Sequence, residues 1–150
     1  MKVIILDNVL PTDLLKDWQD EEMPTTPQWT YGKNHPLIEA TSPYYDTSKI
    51  RGFETWLHRN TRPEVGFHYD RDEYSYAVDK KLRFPIFSLI FYIIVEDLEG
   101  GELNVENNIK ITPKENRLVI LAPKVKHEVE EFTGYRTSLN INPWERILKA

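Results

Sequence analysis

A chain of 150 residues with no cysteine excludes disulfides, iron–sulfur clusters, thiolate zinc sites and cysteine nucleophiles, so any bound metal must be held by His, Asp or Glu. The length suits one domain, residues 1–150, built around one hydrophobic core. Formal net charge is −5 and the basic residues are scattered, which argues against nucleic acid as a partner.

A short strand is predicted at Lys2 to Leu6. Its apolar run, Val3-Ile4-Ile5-Leu6, is broken by Asp7 and is too short for a secretion signal. The longest apolar stretch, Phe84 to Val95, contains Pro85 and Ser88 and falls short of the roughly 20 residues a membrane helix needs. The expectation is a cytoplasmic protein that does not engage a membrane. Pro11-Thr12-Asp13 supplies a helix start, and Leu10, Leu14, Leu15 and Trp18 recur at helical spacing until Pro24 and Pro27 end the pattern. No other segment carries so clear a helical period. Residues 23–50, with Pro24, Pro27, Pro36 and Pro43 among Trp29, Tyr31, Tyr44 and Tyr45, read as irregular covering structure, and His35 within them as a surface residue. From Thr55 onward, short β-branched and aromatic runs are separated by turn signals at Arg62-Pro63, Gly100-Gly101, Asn107-Asn108, Thr112-Pro113 and Gly134. That spacing predicts a mainly β protein, a barrel or jelly roll in preference to alternating strands and helices.

Three segments carry groups able to do chemistry. In a predicted strand, Val65, Phe67 and Tyr69 alternate with Gly66, His68 and Asp70, so an imidazole and a carboxylate share one face. Near the end of the chain Thr137, Leu139 and Ile141 alternate with Arg136, Ser138, Asn140 and Asn142, placing a guanidinium fork and a hydroxyl side by side, a pair suited to a carboxylate. His127 follows the apolar run Arg117 to Leu121. Two histidines and one carboxylate from separate strands can occupy one face of a metal's coordination sphere. Taken singly, each polar face reads equally well as one that meets water, and His127 as a hydrogen-bonded surface residue.

In combination these residues resemble the iron(II)- and 2-oxoglutarate-dependent dioxygenases, within them the prolyl 4-hydroxylase-like branch. The resemblance runs from about Thr55 to Trp144, through His68-x-Asp70, Phe91-Tyr92-Ile93, Gly100-Gly101-Glu102-Leu103, the run Arg117 to Leu121 leading to His127-Glu128-Val129, and Gly134-Tyr135-Arg136-Thr137-Ser138-Leu139-Asn140. It implies a double-stranded β-helix, a jelly roll with one N-terminal helix and few others. It implies His68, Asp70 and His127 as iron ligands, and Arg136, Ser138 and Tyr92 as the residues holding the distal carboxylate of 2-oxoglutarate. The implied cofactors are Fe(II), 2-oxoglutarate as cosubstrate and O2, with ascorbate as reductant. The implied reaction is hydroxylation of an unactivated carbon with release of succinate and CO2, and the branch points to a prolyl residue of a peptide or protein.

Glu131 stands where such sequences often place a proline, and Asn142 where relatives often have an aromatic, with Trp144 two residues on. His58 occupies a position that in relatives faces the cosubstrate, and also reads as an ordinary hydrogen-bonded neighbour of Trp56. Between Asp70 and Pro85, the polar segment with Tyr74 and Tyr76 reads as a lid or substrate-selecting loop, or as a solvated connection. Two alternatives stand beside the peptide hydroxylase: a dioxygenase acting on a small molecule such as a free amino acid, and a non-catalytic cupin-like module holding a metal or carboxylate.

Overall fold

The computed structural model describes residues 2–59 and 66–148. In chain order these form strand β1 (Val3–Leu6), helix α1 (Thr12–Asp20), β2 (Gln28–Tyr31), helix α2 (Pro36–Ala40), β3 (Gly52–Arg59), helix α3 (Glu73–Asp79), and then strands β4 (Ser88–Gly100), β5 (Leu103–Val105), β6 (Ile109–Ile111), β7 (Leu118–Leu121), β8 (His127–Val129) and β9 (Phe132–Trp144). A six-stranded sheet runs β1-β7-β4-β9-β3-β2, and a three-stranded sheet runs β6-β5-β8. All pairings are antiparallel, and the two sheets form the jelly roll of a double-stranded β-helix, as the sequence predicts.

The pleat assigns side chains on the central strands to two separate cores. Leu89, Phe91 and Ile93 of β4, with Leu118 and Ile120 of β7 and Leu139 and Ile141 of β9, face the helical layer, where α2 supplies Leu37 and Ile38 and α1 supplies Leu14, Leu15 and Trp18. Trp18 meets Phe91 edge to face at 5.7 Å. Ile90, Tyr92, Val119 and Leu121 turn the other way and pack against Leu103, Val105 and Ile111 of the small sheet. Because the first half of β4, residues 88–93, is buried on both faces, Leu89 to Val95 form a continuous apolar run with no alternation, and each fully buried aliphatic or aromatic side chain contributes about 1.5–3 kcal/mol. The start of α1 is held by Asn116, whose Oδ1 accepts from Leu10 N at 2.9 Å and whose Nδ2 donates to Leu10 O at 2.9 Å.

Several turn signals act where expected and one does not. Asn107 and Asn108 both have positive φ, 69° and 63°, and close the β5–β6 hairpin as paired left-handed residues do. Gly134 lies inside β9, opposite an irregularity of β4 between Glu96 and Glu99. Its φ is +97°, and a Cβ there would collide with the carbonyl of Asp97. The glycine therefore lets one strand close over a bulge, and the strand continues through it.

Residues 23–50 are more ordered than their proline content suggests. They contain β2 and α2, the latter opened by Pro36 in its first turn and by His35, whose Nδ1 accepts from Leu37 N at 3.1 Å. His35 is not a surface residue: its ring sits 5.7 Å from Trp18 and 5.6 Å from Phe53, and burial lowers its pKa to about 4. A second unexpected helix, α3, begins at Asp72, which caps Ser75 N at 3.1 Å and accepts from Ser75 Oγ at 2.9 Å. The predicted strand at Val65–Asp70 is reduced to one bridge residue, His68; Val65 lies outside the described residues. Phe67 is 50% exposed, so its side of the segment has no core to enter.

Since the folded state holds His35 at about 4 while an unfolded histidine titrates near 6.5, the unfolded chain binds more protons between these values. Stability from the neutral ring is complete above pH ~6.5 and is lost as pH falls toward ~4, up to about 3 kcal/mol. His35→Asn, which keeps an N-cap acceptor, should flatten this part of the stability–pH curve in urea titrations; an unchanged slope would show that the ring is not responsible.

Candidate metal centre

The site is built on the pleat of β9. Its two neighbours set rows of side chains on one face: His58 and Tyr92 both oppose Ser138, and Trp56 and Ile90 both oppose Asn140. Glu54 opposes Asn142, and Ser88, two residues before Ile90 on β4, shares their face. This is the face turned toward the small sheet, so its polar groups point into the jelly roll.

Above that floor lie three ligand atoms. One each from His68, Asp70 and His127 fall within 4.8 Å of one another. His68 Nε2 is 3.6 Å and His127 Nε2 3.9 Å from Asp70 Oδ1. The backbones of His68 and His127 exchange both hydrogen bonds, at 3.1 and 2.8 Å, which brings their rings to 4.6 Å between centroids. Each imidazole is oriented by a carbonyl two residues earlier: Nδ1 of His68 lies 2.9 Å from Gly66 O, and Nδ1 of His127 lies 3.1 Å from Val125 O. A carbonyl can only accept, so Nδ1 carries the proton and each Nε2 presents a lone pair to the common point. Asp70 completes the arrangement. Its Oδ2 accepts from Ser88 Oγ at 3.3 Å, leaving Oδ1 for the imidazoles. Burial lowers the pKa of His127, favouring the neutral ring that a metal requires. Two imidazoles and one carboxylate with open directions beside them fit iron(II).

Arg136 is 4% exposed. Its guanidinium reaches Gly101 O at 3.5 Å and Ser138 Oγ at 3.4 Å, both long, and Nε has no partner. Among the described residues no carboxylate forms an ion pair with it. Tyr92, fully buried, leaves its hydroxyl without a partner, and burial pushes its pKa up to about 12. A buried, uncompensated cation beside an orphaned hydroxyl is costly, and an anion bridging Arg136, Ser138 and Tyr92 would satisfy all three. His58 lies in the same row. Its Nε2 accepts from Trp56 Nε1 at 3.1 Å, so His58 is the hydrogen-bonded neighbour of Trp56 that the sequence suggests, on the interior face opposite Ser138.

Tyr74 and Tyr76, paired by the sequence, part company on α3. Tyr74 is 42% exposed and borders a cavity of about 330 Å³. Tyr76 lies beneath Arg71, 3.9 Å from its ring centroid, and takes no part in that cavity. Glu54 and Trp29 also line it. Neither was singled out from the sequence, although strand alternation from Trp56 and His58 places Glu54 on the interior face.

The model of the 2OG-Fe(II) oxygenase superfamily matches residues 55–144, and the chain belongs to this family. A comparison with curated proteins finds no match. Similar solved structures include a prolyl-4-hydroxylase of Pseudomonas putida, with TM-score 0.63 and 16% identity over 97% of this chain and 94% of that one. Another is the viral collagen prolyl hydroxylase of Paramecium Bursaria Chlorella virus-1 in its 2OG complex, with TM-score 0.62 and 13% identity over 95% and 96%. A prolyl hydroxylase of Trichoplax adhaerens, solved with a peptide fragment of hypoxia inducible factor, follows with TM-score 0.52 and 13% identity over 96% and 84%. At these identities the likeness is one of fold. Among the described residues no helix is long and apolar enough to cross a membrane.

Loss of an orienting partner around a metal site typically costs 10–100-fold in affinity, and loss of a ligand costs more. His68→Ala and His127→Ala should therefore each weaken iron(II) binding by at least ~100-fold, measured anaerobically by competition with a chelator. Ser88→Ala should cost about 10-fold. Full iron affinity in both histidine variants would disprove the ligand set.

Proposed function

We propose that this protein is an iron(II)- and 2-oxoglutarate-dependent hydroxylase acting on a prolyl residue of a peptide or protein. The observation that carries the reading is Arg136, buried, charged and without an acidic partner among the described residues, beside a three-donor metal set. A barrel that only stored metal would have no use for that cation. His68, Asp70 and His127 would hold iron on one face, and Arg136, Ser138 and Tyr92 the distal carboxylate of 2-oxoglutarate. When bound, iron and 2-oxoglutarate together activate O2 and oxidise an unactivated C–H bond, with release of succinate and CO2. The chain's own part is to present neutral imidazoles at fixed tautomer, to anchor a dicarboxylate in one orientation, and to keep water from the buried floor around Tyr92 and Ser138. The peptide substrate is supported by the Trichoplax neighbour, solved with a peptide.

The direct test supplies the purified protein with iron(II), ascorbate, O2 and 2-oxoglutarate and assays succinate. A proline-containing peptide should gain one oxygen atom by mass spectrometry, dependent on His68, 2-oxoglutarate and O2 together, and free proline should be the poorer substrate. Absence of succinate under these conditions would overturn the enzymatic reading.

Arg136 makes a sharper test, because its charge costs stability when no anion is bound. Arg136→Met should stabilise the ligand-free protein by about 1–4 kcal/mol and weaken 2-oxoglutarate by ~30-fold or more, with iron affinity unchanged. The thermal shift that 2-oxoglutarate produces in the wild type should vanish. A variant that keeps that shift would place the anchor elsewhere.

A further inference from the structure

The cavity of about 330 Å³ beside α3 has walls and a charge that the dioxygenase reading does not use. Its lining includes Trp29, Glu54, Arg71, Glu73, Tyr74 and Asp72. Most of these charges are already matched. Arg71 Nε bonds Glu73 Oε1 at 2.8 Å and its guanidinium covers Tyr76, while Asp72 Oδ2 pairs with Arg146 at 3.1 Å. Glu54 is the exception. Its Oε1 accepts from Trp144 Nε1 at 2.9 Å, and among the described residues no cation pairs with the carboxylate. Desolvation raises its pKa, and the nearby charges of Asp70 and Asp72 add to the rise. Beside it Trp29, held against Gly52, has an indole Nε1 that is buried without a partner. Tyr74, 42% exposed, also lines the cavity.

We propose that this cavity is a substrate subsite for an ammonium or guanidinium group, with Glu54 as its counter-charge, Tyr74 as an aromatic wall and the Trp29 N–H as donor to a substrate carbonyl. A carboxylate backed by aromatic surface is the arrangement that recognises alkylammonium and guanidinium groups. The distance is also suitable. Glu54 opposes Asn142 on β9, and Ser88 on the strand beyond donates to Asp70, so two strand spacings, roughly 10 Å, separate the backbones of Glu54 and Ser88. A lysyl or arginyl side chain next to the oxidised residue spans that gap. The inference rests on the hydroxylase reading and deepens it: the substrate carries a basic side chain adjoining the carbon to be oxidised.

The test uses protein reconstituted with iron(II) and 2-oxoglutarate under nitrogen, titrated by tryptophan fluorescence with acetyl-Lys-Pro-Gly-amide and with its uncharged norleucine counterpart. Wild type should bind the lysyl probe tighter by roughly tenfold or more. Glu54→Gln, which preserves the acceptor for Trp144 and should keep the wild-type circular dichroism, should make the two probes equal. Competition by free lysine would assign the basic group to a small molecule, and binding of the blocked peptide alone would assign it to a polypeptide; either supports the subsite. Equal affinities in the wild type, or a lysyl preference that survives in Glu54→Gln, would overturn it. Wild type that makes succinate without preferring the lysyl probe refutes this inference alone, whereas a preserved preference with no succinate refutes the hydroxylase reading.

Discussion

Strand β9 lies in the interior of the large sheet, bonded to β4 on one side and β3 on the other, and its residues alternate between apolar and hydrogen-bonding side chains. With the helical layer on one face of the sheet and the small sheet on the other, the alternation forces a division of labour. Thr137, Leu139 and Ile141 pack with the helical layer, while Arg136, Ser138, Asn140 and Asn142 are driven inward. Register then carries this choice to the neighbours, because antiparallel partners share a face. His58, Trp56 and Glu54 on β3 and Tyr92 and Ser88 on β4 face the same interior by virtue of where they lie opposite β9. A one-residue slip would exchange the two faces and bury the guanidinium against Phe91 and Leu118.

The inward face is kept incompletely satisfied. Hydrophobic burial on both sides of β4 and β7 supplies the stability against which Arg136, Tyr92 and Glu54 can remain costly. Each lacks the partner its chemistry calls for, and the deficits have different signs: a cation and a hydroxyl near Ser138, a carboxylate near Trp29. On the proposed readings, the interior face would offer an anion site near Ser138 and a cation site near Trp29.

Much of this was legible in the chain only in combination, because period-two alternation and metal-ligand spacing are each weak signals alone. Arg136 with Ser138, and the pairing of His68 with Asp70, could be read from residues two apart. Strand class and the Asn107-Asn108 hairpin followed from turn chemistry. The helices α2 and α3 were hidden for different reasons. The first spans only Pro36–Ala40 and depends on a histidine cap, which composition does not flag; the second starts from an Asp72 cap with Ser75 at the right spacing, but its exposed face shows no apolar period. The ligand segment misled in the opposite direction. Alternation around His68 suggested a strand, whereas it makes only the one bridge to His127. Glu54 escaped notice because a lone carboxylate on a strand is ordinary until its neighbours across β9 are known.

The candidate metal site is steadied from both layers. His127 belongs to the small sheet and Ser88, which steadies Asp70, to the large one; the gap between them is filled by Leu103, Val105, Ile111, Val119, Leu121 and Val125. These side chains act as a ruler. Their summed thickness bears on how far Ser88 stands from His127, so a change of one methylene in the aliphatic filling would reach Asp70 through its serine partner. If the proposed ligand set holds, substitutions there that leave the fold intact would tune metal affinity without touching a ligand, through the core's volume.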